Sequence, residues 1–458
     1  METKKNKRST FSGKIGFVLS AAGASVGLGN IWRFPYLAAK YGGGIFLLIY
    51  ILLALTFGYT MIVAESALGR MTRKSPVGAF KAFGKKAGWL SFGGWINAII
   101  PVLIVPYYSV IGGWVIKYLI EYVKGNGTKL AADGYFSEFI SNGASTEICF
   151  VIFCLFTLSI IYAGVRNGIE RVSKFMMPIL VVLSVIIAIY SVTRPGAMAG
   201  VKYFLVPNLK NFSWMTVVAA MGQMFYSLSI AMGILITFGS YMKKDSSIED
   251  STRNVEVFDT AIAIMAGLMI IPAVFAFSGG DPDTLQAGPA LMFITIPKVF
   301  ANMGFGTIVG ILFFLLVLFA AVTSSIALTE SAVSTFEDEI GWSRRKSTVV
   351  IGIIMIALGT LSCLGYGPLA FVKIIGMQFL DFFDFLTNSV MMPIAAMMIS
   401  IFVSKVVGID RIEEEIRHGE AAFRRKKIFV VMIKYLCPIF AMIILASSVA
   451  NAFGWISM

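Results

Sequence analysis

Two apolar stretches of membrane length are interrupted by residues that sit badly in lipid. In the first, Gly23, Ala24, Ser25, Val26, Gly27, Leu28, Gly29 and Asn30 run straight into Ile31, Trp32, Arg33, Phe34 and Pro35. Glycine is the weakest ordinary helix former, and Asn and Arg are costly in hydrocarbon. In the second, Gln223 precedes Met224, Phe225, Tyr226, Ser227, Leu228, Ser229, Ile230, Ala231, Met232 and Gly233. Irregular backbone at membrane depth survives only where it is buried in protein or lines a cavity. Both breaks therefore put unpaired carbonyls and N–H groups where a solute or an ion can use them. A third polar residue at depth is Glu65, which is expected to accept hydrogen bonds from backbone freed by the unwinding rather than to touch a ligand.

The rest of the chain must hold these breaks in a bilayer. Of its 458 residues, 57% are hydrophobic and 14% charged, with a mean hydropathy of +0.82. This is the composition of an all-α integral membrane protein. The one histidine, His418, makes a zinc or haem site unexpected. Cys149, Cys154, Cys363 and Cys437 lie in or beside apolar segments and read as small packing residues. No nucleophile–base pair, phosphate loop or metal cluster marks an enzyme. The basic start from Met1 to Lys14, followed by an apolar stretch too long for an h-region, does not fit a cleavable signal peptide.

About eleven apolar segments reach membrane length, at 14–38, 43–70, 88–123, 147–163, 168–192, 214–241, 256–278, 306–336, 347–365, 374–404 and 429–456. Alternate loops are basic: Lys4, Lys5, Lys7 and Arg8; Arg70, Arg73, Lys74, Lys81, Lys85 and Lys86; Arg166, Arg171 and Lys174; Lys243, Lys244 and Arg253; Arg344, Arg345 and Lys346; Arg424, Arg425, Lys426 and Lys427. The positive-inside rule puts the N-terminus in the cytoplasm and, with eleven spans, the C-terminus outside. The net charge of +13 is thus topogenic, and no nucleic-acid partner is expected. Broken segments one and six occupy corresponding positions in two halves, 14–192 and 214–404, which points to a binding site at a repeat interface. The remaining parts are a cytoplasmic N-terminal segment 1–13, a cytoplasmic loop 405–428 and an eleventh helix 429–458.

The chain resembles the neurotransmitter:sodium symporters, the leucine-transporter-like family, and especially its eleven-segment bacterial branch. The resemblance rests on Gly27-Leu28-Gly29-Asn30-Ile31-Trp32-Arg33-Phe34-Pro35, Tyr41-Gly42-Gly43-Gly44, Glu65-Ser66-Ala67-Leu68-Gly69-Arg70, Gly168-Ile169-Glu170-Arg171, Thr323-Ser324-Ser325 and Phe336-Glu337-Asp338-Glu339, in the family's order. It implies a 5+5 inverted repeat with broken helices 1 and 6 plus one extra helix. The implied activity is sodium-coupled symport of an α-amino acid across a bacterial inner membrane, by a monomer or homodimer. An amino-acid sensor without net flux and a proton-coupled transporter of the same fold are the alternatives.

The resemblance also implies sites. A first sodium site takes the Ser25 carbonyl, Asn30, Ser227 and Asp259, together with the substrate carboxylate. A second takes the carbonyls of Gly23, Val26 and Ala320 and the hydroxyls of Thr323 and Ser324, although such hydroxyls also bond the preceding helical turn. Asp259 departs from the eukaryotic pattern, where a neutral residue accompanies chloride, so chloride is not expected. Tyr108 and the N–H groups near Gly27, Leu28 and Gly29 receive the substrate carboxylate. Its side chain meets Ala24, Ile104, Ile111, Tyr226, Ser229, Met232, Ser324 and Leu328, which fits a neutral hydrophobic or aromatic amino acid. Gly27 stands where monoamine carriers have aspartate, and Ala231 where close relatives have glycine. Arg33 and Asp384 form an outer gate above a lid of Tyr108 and Tyr226. Arg8, Asp338 and Tyr241 form an inner gate, with Phe11 in place of a tryptophan. Gly168 and Pro178 bracket a stretch of the fifth segment that can unwind cheaply.

Overall fold

A computed structural model describes residues 8–279 and 288–455. Lys4, Lys5 and Lys7, the first part of the segment 1–13 and the end of the span 429–456 lie outside the described residues. The architecture is helical, and no strand occurs among the described residues beyond one isolated bridge between Ile374 and Met377. The main helices are α1 (Lys14–Ser25), α2 (Gly29–Lys40), α3 (Gly44–Thr72), α4 (Gly88–Val123), α5 (Gly143–Tyr162), α6 (Val165–Val192), α7 (Trp214–Ser227), α8 (Ile234–Ser240), α9 (Ile248–Ser278), α10 (Gly306–Ile340), α11 (Arg344–Leu364), α12 (Phe379–Val407), α13 (Ile409–Arg417) and α14 (Lys426–Ala452).

Nine of these are long and apolar enough to cross a membrane, and the pair α1 and α2, bent by 54° at its break, makes ten. The remaining expected span, the sixth at 214–241, corresponds to α7 and α8, each too short to cross alone and separated by the turn 228–233. Several helices start earlier than hydropathy places them, because caps and not apolarity decide where a helix begins. The Ser247 side chain accepts the Asp250 N–H at 3.0 Å, so α9 starts at Ile248, ahead of the expected 256. Glu249 and Asp250 in its first turn suit the positive helix end. Asn142 caps α5 in the same way, ahead of 147. At α12 the shift is opposite: Ile375 and Gly376 take positive φ, and the helix begins at Phe379 instead of 374.

The long helices α4 and α10 lie along each other, and α10 packs against α1. On the other side, α8 packs tightly on α3 through small residues. Side chains on Gly69 and Gly239 would collide with the backbone of Ile236 and Ser66 respectively. Small residues allow such close approach between apolar helices that gain little from hydrophobic burial in lipid. The two breaks therefore meet in the middle of the bundle, held from both sides.

Candidate functional site

The first break is a short extended step. Val26 closes α1 at φ −75°, ψ 92°, with its N–H on the Ala22 carbonyl at 2.7 Å. The second break is more unusual: Ser229, Ala231 and Gly233 all have positive φ, at 54°, 58° and 69°. This is natural for Gly233 and strained for the other two. Two contacts hold the strained turn. The Ser229 hydroxyl donates to the Ala24 carbonyl at 3.0 Å, tying one break to the other. The Ala231 N–H donates to the buried Glu65 carboxylate at 2.8 Å, the role expected for that acid.

Between the breaks lies a cavity of about 30 Å³, room for one or two waters. Ala24, Ser25, Gly27, Leu28, Gly29, Ile104, Tyr108, Tyr226, Ser227, Ser229, Met232, Ser324 and Leu328 line it as expected, together with Asn30 and Ile234. Ile111 does not. It sits one turn beyond Tyr108 on α4, which carries it past the tyrosine ring and into a vestibule of about 430 Å³. Tyr108 and Tyr226 border both spaces and so form the partition between them. The Tyr108 hydroxyl accepts the Leu28 N–H at 3.3 Å. A side chain at position 27 would sit 2.7 Å from the Ser324 hydroxyl and 3.0 Å from that of Tyr108, so glycine there keeps the cavity open.

Asp259, fully buried on α9, anchors the polar edge. It accepts from Asn30 at 2.8 Å, from Ser227 at 2.9 Å and from Tyr50 at 2.7 Å. No Lys, Arg or His among the described residues pairs with it. A buried carboxylate with only neutral donors has uncompensated charge and suits a cation. Ser25 is the last residue of α1, so its carbonyl belongs to the set the helix cannot satisfy itself. Turning the Asn30 amide over would present its oxygen to the same point. These oxygen donors fit a hard cation such as sodium.

Residues expected at a second sodium site also come close together. The Ser324 hydroxyl lies 3.3, 3.2 and 3.4 Å from the carbonyls of Gly23, Ala24 and Val26. Thr323 bonds back to Phe319 at 2.9 Å and Ala320 at 3.2 Å, the local alternative foreseen for it. One hydroxyl proton cannot serve three carbonyls, so this acceptor-rich point also fits a cation.

The two ends differ. At the first, Arg8 pairs with Asp338 at 2.6 Å, donates to Ser240 and Ser334, and lies over the Tyr241 ring. Phe11 is buried edge-on against Phe17, Phe238 and Tyr241, so the smaller ring still fills its place. At the second end, Arg33 and Asp384 face the vestibule but form no ion pair. Arg33 lies over the Tyr226 ring at 5.3 Å, and Asp384 accepts from Tyr107 and Asn388. The expected outer pair is thus open in this conformation. Gly168 and Pro178 both lie within helical α6, Gly168 in a wider turn at Val165–Glu170. The stretch between them is wound here.

Sequence reasoning missed Tyr50, whose hydroxyl tip in an apolar run was the available signal. It also missed Glu330, fully buried, which accepts from Tyr241 at 2.6 Å and pairs with the two terminal nitrogens of Arg344.

This fold and site define a multi-pass membrane carrier of small solutes. The model of the sodium:neurotransmitter symporter family matches residues 8–131 and 135–454. The chain is 36% identical to YhdH, an uncharacterized sodium-dependent transporter of Bacillus subtilis, over 90% of this chain and 91% of that protein. It is 30% identical to an uncharacterized sodium-dependent transporter of Methanocaldococcus jannaschii, over 90% and 84%. The crystal structure of MhsT in complex with L-phenylalanine superposes with a TM-score of 0.86 at 35% identity, covering 96% of this chain and all of that one. The chain belongs to the sodium:neurotransmitter symporter family and is a sodium-dependent symporter with the leucine-transporter fold.

Proposed function

We propose that this protein carries a neutral, hydrophobic or aromatic α-amino acid together with two sodium ions. The observation behind this reading is the polarity of the cavity. Its serine hydroxyls, the Tyr108 hydroxyl and the Asn30 amide are engaged at the two cation points or on backbone, and Tyr226 belongs to the partition toward the vestibule. What remains free toward a substrate side chain is apolar: Ala24, Ile104, Met232, Ile234 and Leu328. MhsT, similar over nearly the whole chain, was crystallised with phenylalanine. The substrate carboxylate meets Tyr108 and the N–H groups near Gly29, and joins the ligands of the ion at Asp259. Substrate and ion then bind as one unit.

The cycle is alternating access around this point. The eleven spans form two inverted five-helix repeats, 14–192 and 214–404, and the eleventh helix lies outside them. The Arg8 end faces the cytoplasm of a bacterium. Each ion moving down a tenfold gradient and 100 mV supplies about 1.4 and about 2.3 kcal/mol, so two ions make available about 7 kcal/mol for a neutral zwitterion. Asp259 supplies the fixed negative charge, so transport does not need chloride.

The test is uptake of labelled neutral amino acids into proteoliposomes with an inward sodium gradient, with potassium as control. Sodium-dependent accumulation of apolar amino acids is the expected result. Binding without accumulation would favour a sensor, and accumulation on a pH gradient alone would transfer the coupling to protons. Uptake in gluconate should equal uptake in chloride.

A further inference from the structure

The short loop that opens α4 combines free positive charge with exposed aromatic surface. Gly84 and Gly88, at φ 55° and 50°, turn the chain from Pro76–Lys81 into α4. Between them Lys85 and Lys86 are exposed, and no acidic side chain among the described residues pairs with either. Beyond them Trp89, Phe92, Trp95 and Ile99 are exposed by 73%, 60%, 41% and 41%. Their spacing of three, three and four residues puts them on one face of α4. The opposite face is clamped. A side chain on Gly93 would press on Phe80 and Met398, and one on Gly94 on the backbone of Pro76 and Val77. The aromatic stripe therefore cannot turn inward.

Several other cations at the Arg8 end are engaged. Arg424 pairs with Asp250, Lys426 with Glu413 and Lys174 with Glu170. Arg345 lies over the Tyr162 ring and Lys346 over that of Trp342, at 4.1 Å. Lys81 lies 5.1 Å over the Trp95 ring and pairs with Glu339, which fixes that indole. Lys85 and Lys86 have neither a carboxylate nor a ring. From Trp89 to Ile99 the stripe is about 15 Å long at about 1.5 Å per residue, half of the ~30 Å hydrocarbon core and so the depth of one leaflet. Indoles favour the headgroup level of a bilayer, and lysines reach past them to the phosphates. Positive charge followed by one leaflet's depth of apolar surface is the complement of an anionic lipid; an acidic peptide would leave the apolar part uncovered. We propose that this face binds an anionic phospholipid in the leaflet at the Arg8 end. Lys85 and Lys86 hold the phosphate, Trp89 flanks the glycerol, and an acyl chain lies along Phe92, Trp95 and Ile99.

The test places the full chain in phosphatidylcholine vesicles of which a tenth is phosphatidylglycerol. Bromine atoms, which quench indole fluorescence on contact, are carried on the acyl chains either of the phosphatidylglycerol or of an equal amount of phosphatidylcholine. The quenching that belongs to Trp89 is the difference between the parent and Trp89→Phe. Each lysine near an anionic surface favours binding by a factor of about five, so the two together favour phosphatidylglycerol by about twenty-fivefold. Trp89 should then be quenched about threefold more, or better, by the brominated phosphatidylglycerol. Lys85→Gln with Lys86→Gln should make the two lipids equal, whereas Lys85→Arg with Lys86→Arg should keep the preference. Equal quenching in the parent would make the face an unselective part of the boundary. A preference that survives the glutamine pair would put the anionic lipid elsewhere. Either result overturns the proposal.

Salt gives a second reading that needs no lysine variant. At about 1 M the Debye length is about 3 Å, so exposed charges are screened. The excess quenching of Trp89 by brominated phosphatidylglycerol should fall by about half or more. An excess that salt leaves unchanged would mean that the lysines do not select the lipid, and would overturn the proposal. Neither reading depends on transport, so both stand apart from the choice of substrate.

Discussion

At one end of the bundle Arg8 and Asp338 meet at 2.6 Å; at the other, Arg33 and Asp384 face a common vestibule without meeting. Both ends carry an arginine, a carboxylate and a tyrosine. They differ in what else each charged group can reach. Asp338 accepts the Ser75 N–H as well as Arg8, and Arg8 also reaches Ser240 and Ser334, so the pair is embedded in fixed donors and acceptors. Asp384 is supplied by Tyr107 and Asn388, and Arg33 rests on a ring. The open end is therefore stable without its ion pair, and a bound substrate drawing Tyr226 inward would free Arg33 to cross. Complementary occupancy of the two ends is what a two-state carrier needs.

The strongest way to break this comparison is to remove the group between the ends. Asp259→Ala takes away the buried carboxylate at the first cation point and leaves Asn30, Ser227 and Tyr50 facing a void. Losing one partner of a buried charge pair costs about 2–5 kcal/mol, so sodium affinity should fall by at least about thirtyfold. Sodium titration of substrate binding measures this. Affinity within threefold of wild type would remove Asp259 from the ion site.

Next in size is the closed end itself. Asp338→Ala removes the acceptor of Arg8 and of the Ser75 N–H. Charge-assisted hydrogen bonds are worth about 1.5–3 kcal/mol each, so the opening equilibrium at that end should shift about tenfold or more. Uptake against a gradient should fall while labelling at the Arg8 end rises. A fall in uptake without increased labelling would mean that the pair serves binding and not closure.

Pro178→Ala should act on the same end more gently. The proline leaves the Lys174 carbonyl without a backbone donor on α6; alanine restores it and stiffens a stretch that is wound here but must loosen. One backbone hydrogen bond, worth about 1 kcal/mol, should slow opening about fivefold, seen as a lower turnover at unchanged substrate affinity. An unaltered turnover would exclude unwinding at this point from the cycle.

How much of this could be read from the chain depends on whether the information was local. The glycines and Asn30 announce the first break, because their types conflict with their apolar setting. Ser324 and Thr323 were legible as a pair of hydroxyls, but whether they turn outward or back onto their own helix depends on how near α1 comes. The resemblance made Ile111 a cavity residue, and its place one turn beyond Tyr108 on α4 puts it in the vestibule instead. Tyr50 and Glu330 gave weak signals because each acts through a partner far away in sequence, Asp259 and Tyr241 respectively. Helix starts followed the same rule. Ser247 caps α9 by a hydrogen bond that hydropathy does not register.

The smallest expected effect sharpens the comparison from the substrate's side. Ala231 holds φ at 58° and gives its N–H to Glu65, so its methyl is carried in a conformation that glycine adopts without cost. A left-handed L-residue costs about 1–2 kcal/mol, while the extra freedom glycine gives the unfolded chain costs about 0.4–1 kcal/mol. Ala231→Gly should therefore leave stability equal or raise the melting temperature by about 1 °C, despite introducing a glycine. The freed turn can then yield to larger side chains pressing on Met232. Competition by bulky aromatic amino acids should strengthen about threefold, with small ones unchanged, because about 0.6 kcal/mol of strain at the turn no longer opposes the fit. A variant that is less stable and keeps the same competition profile would mean that Ala231 is relaxed in place, and that the size of the accepted side chain is set by Ile104 and Leu328 on the opposite wall.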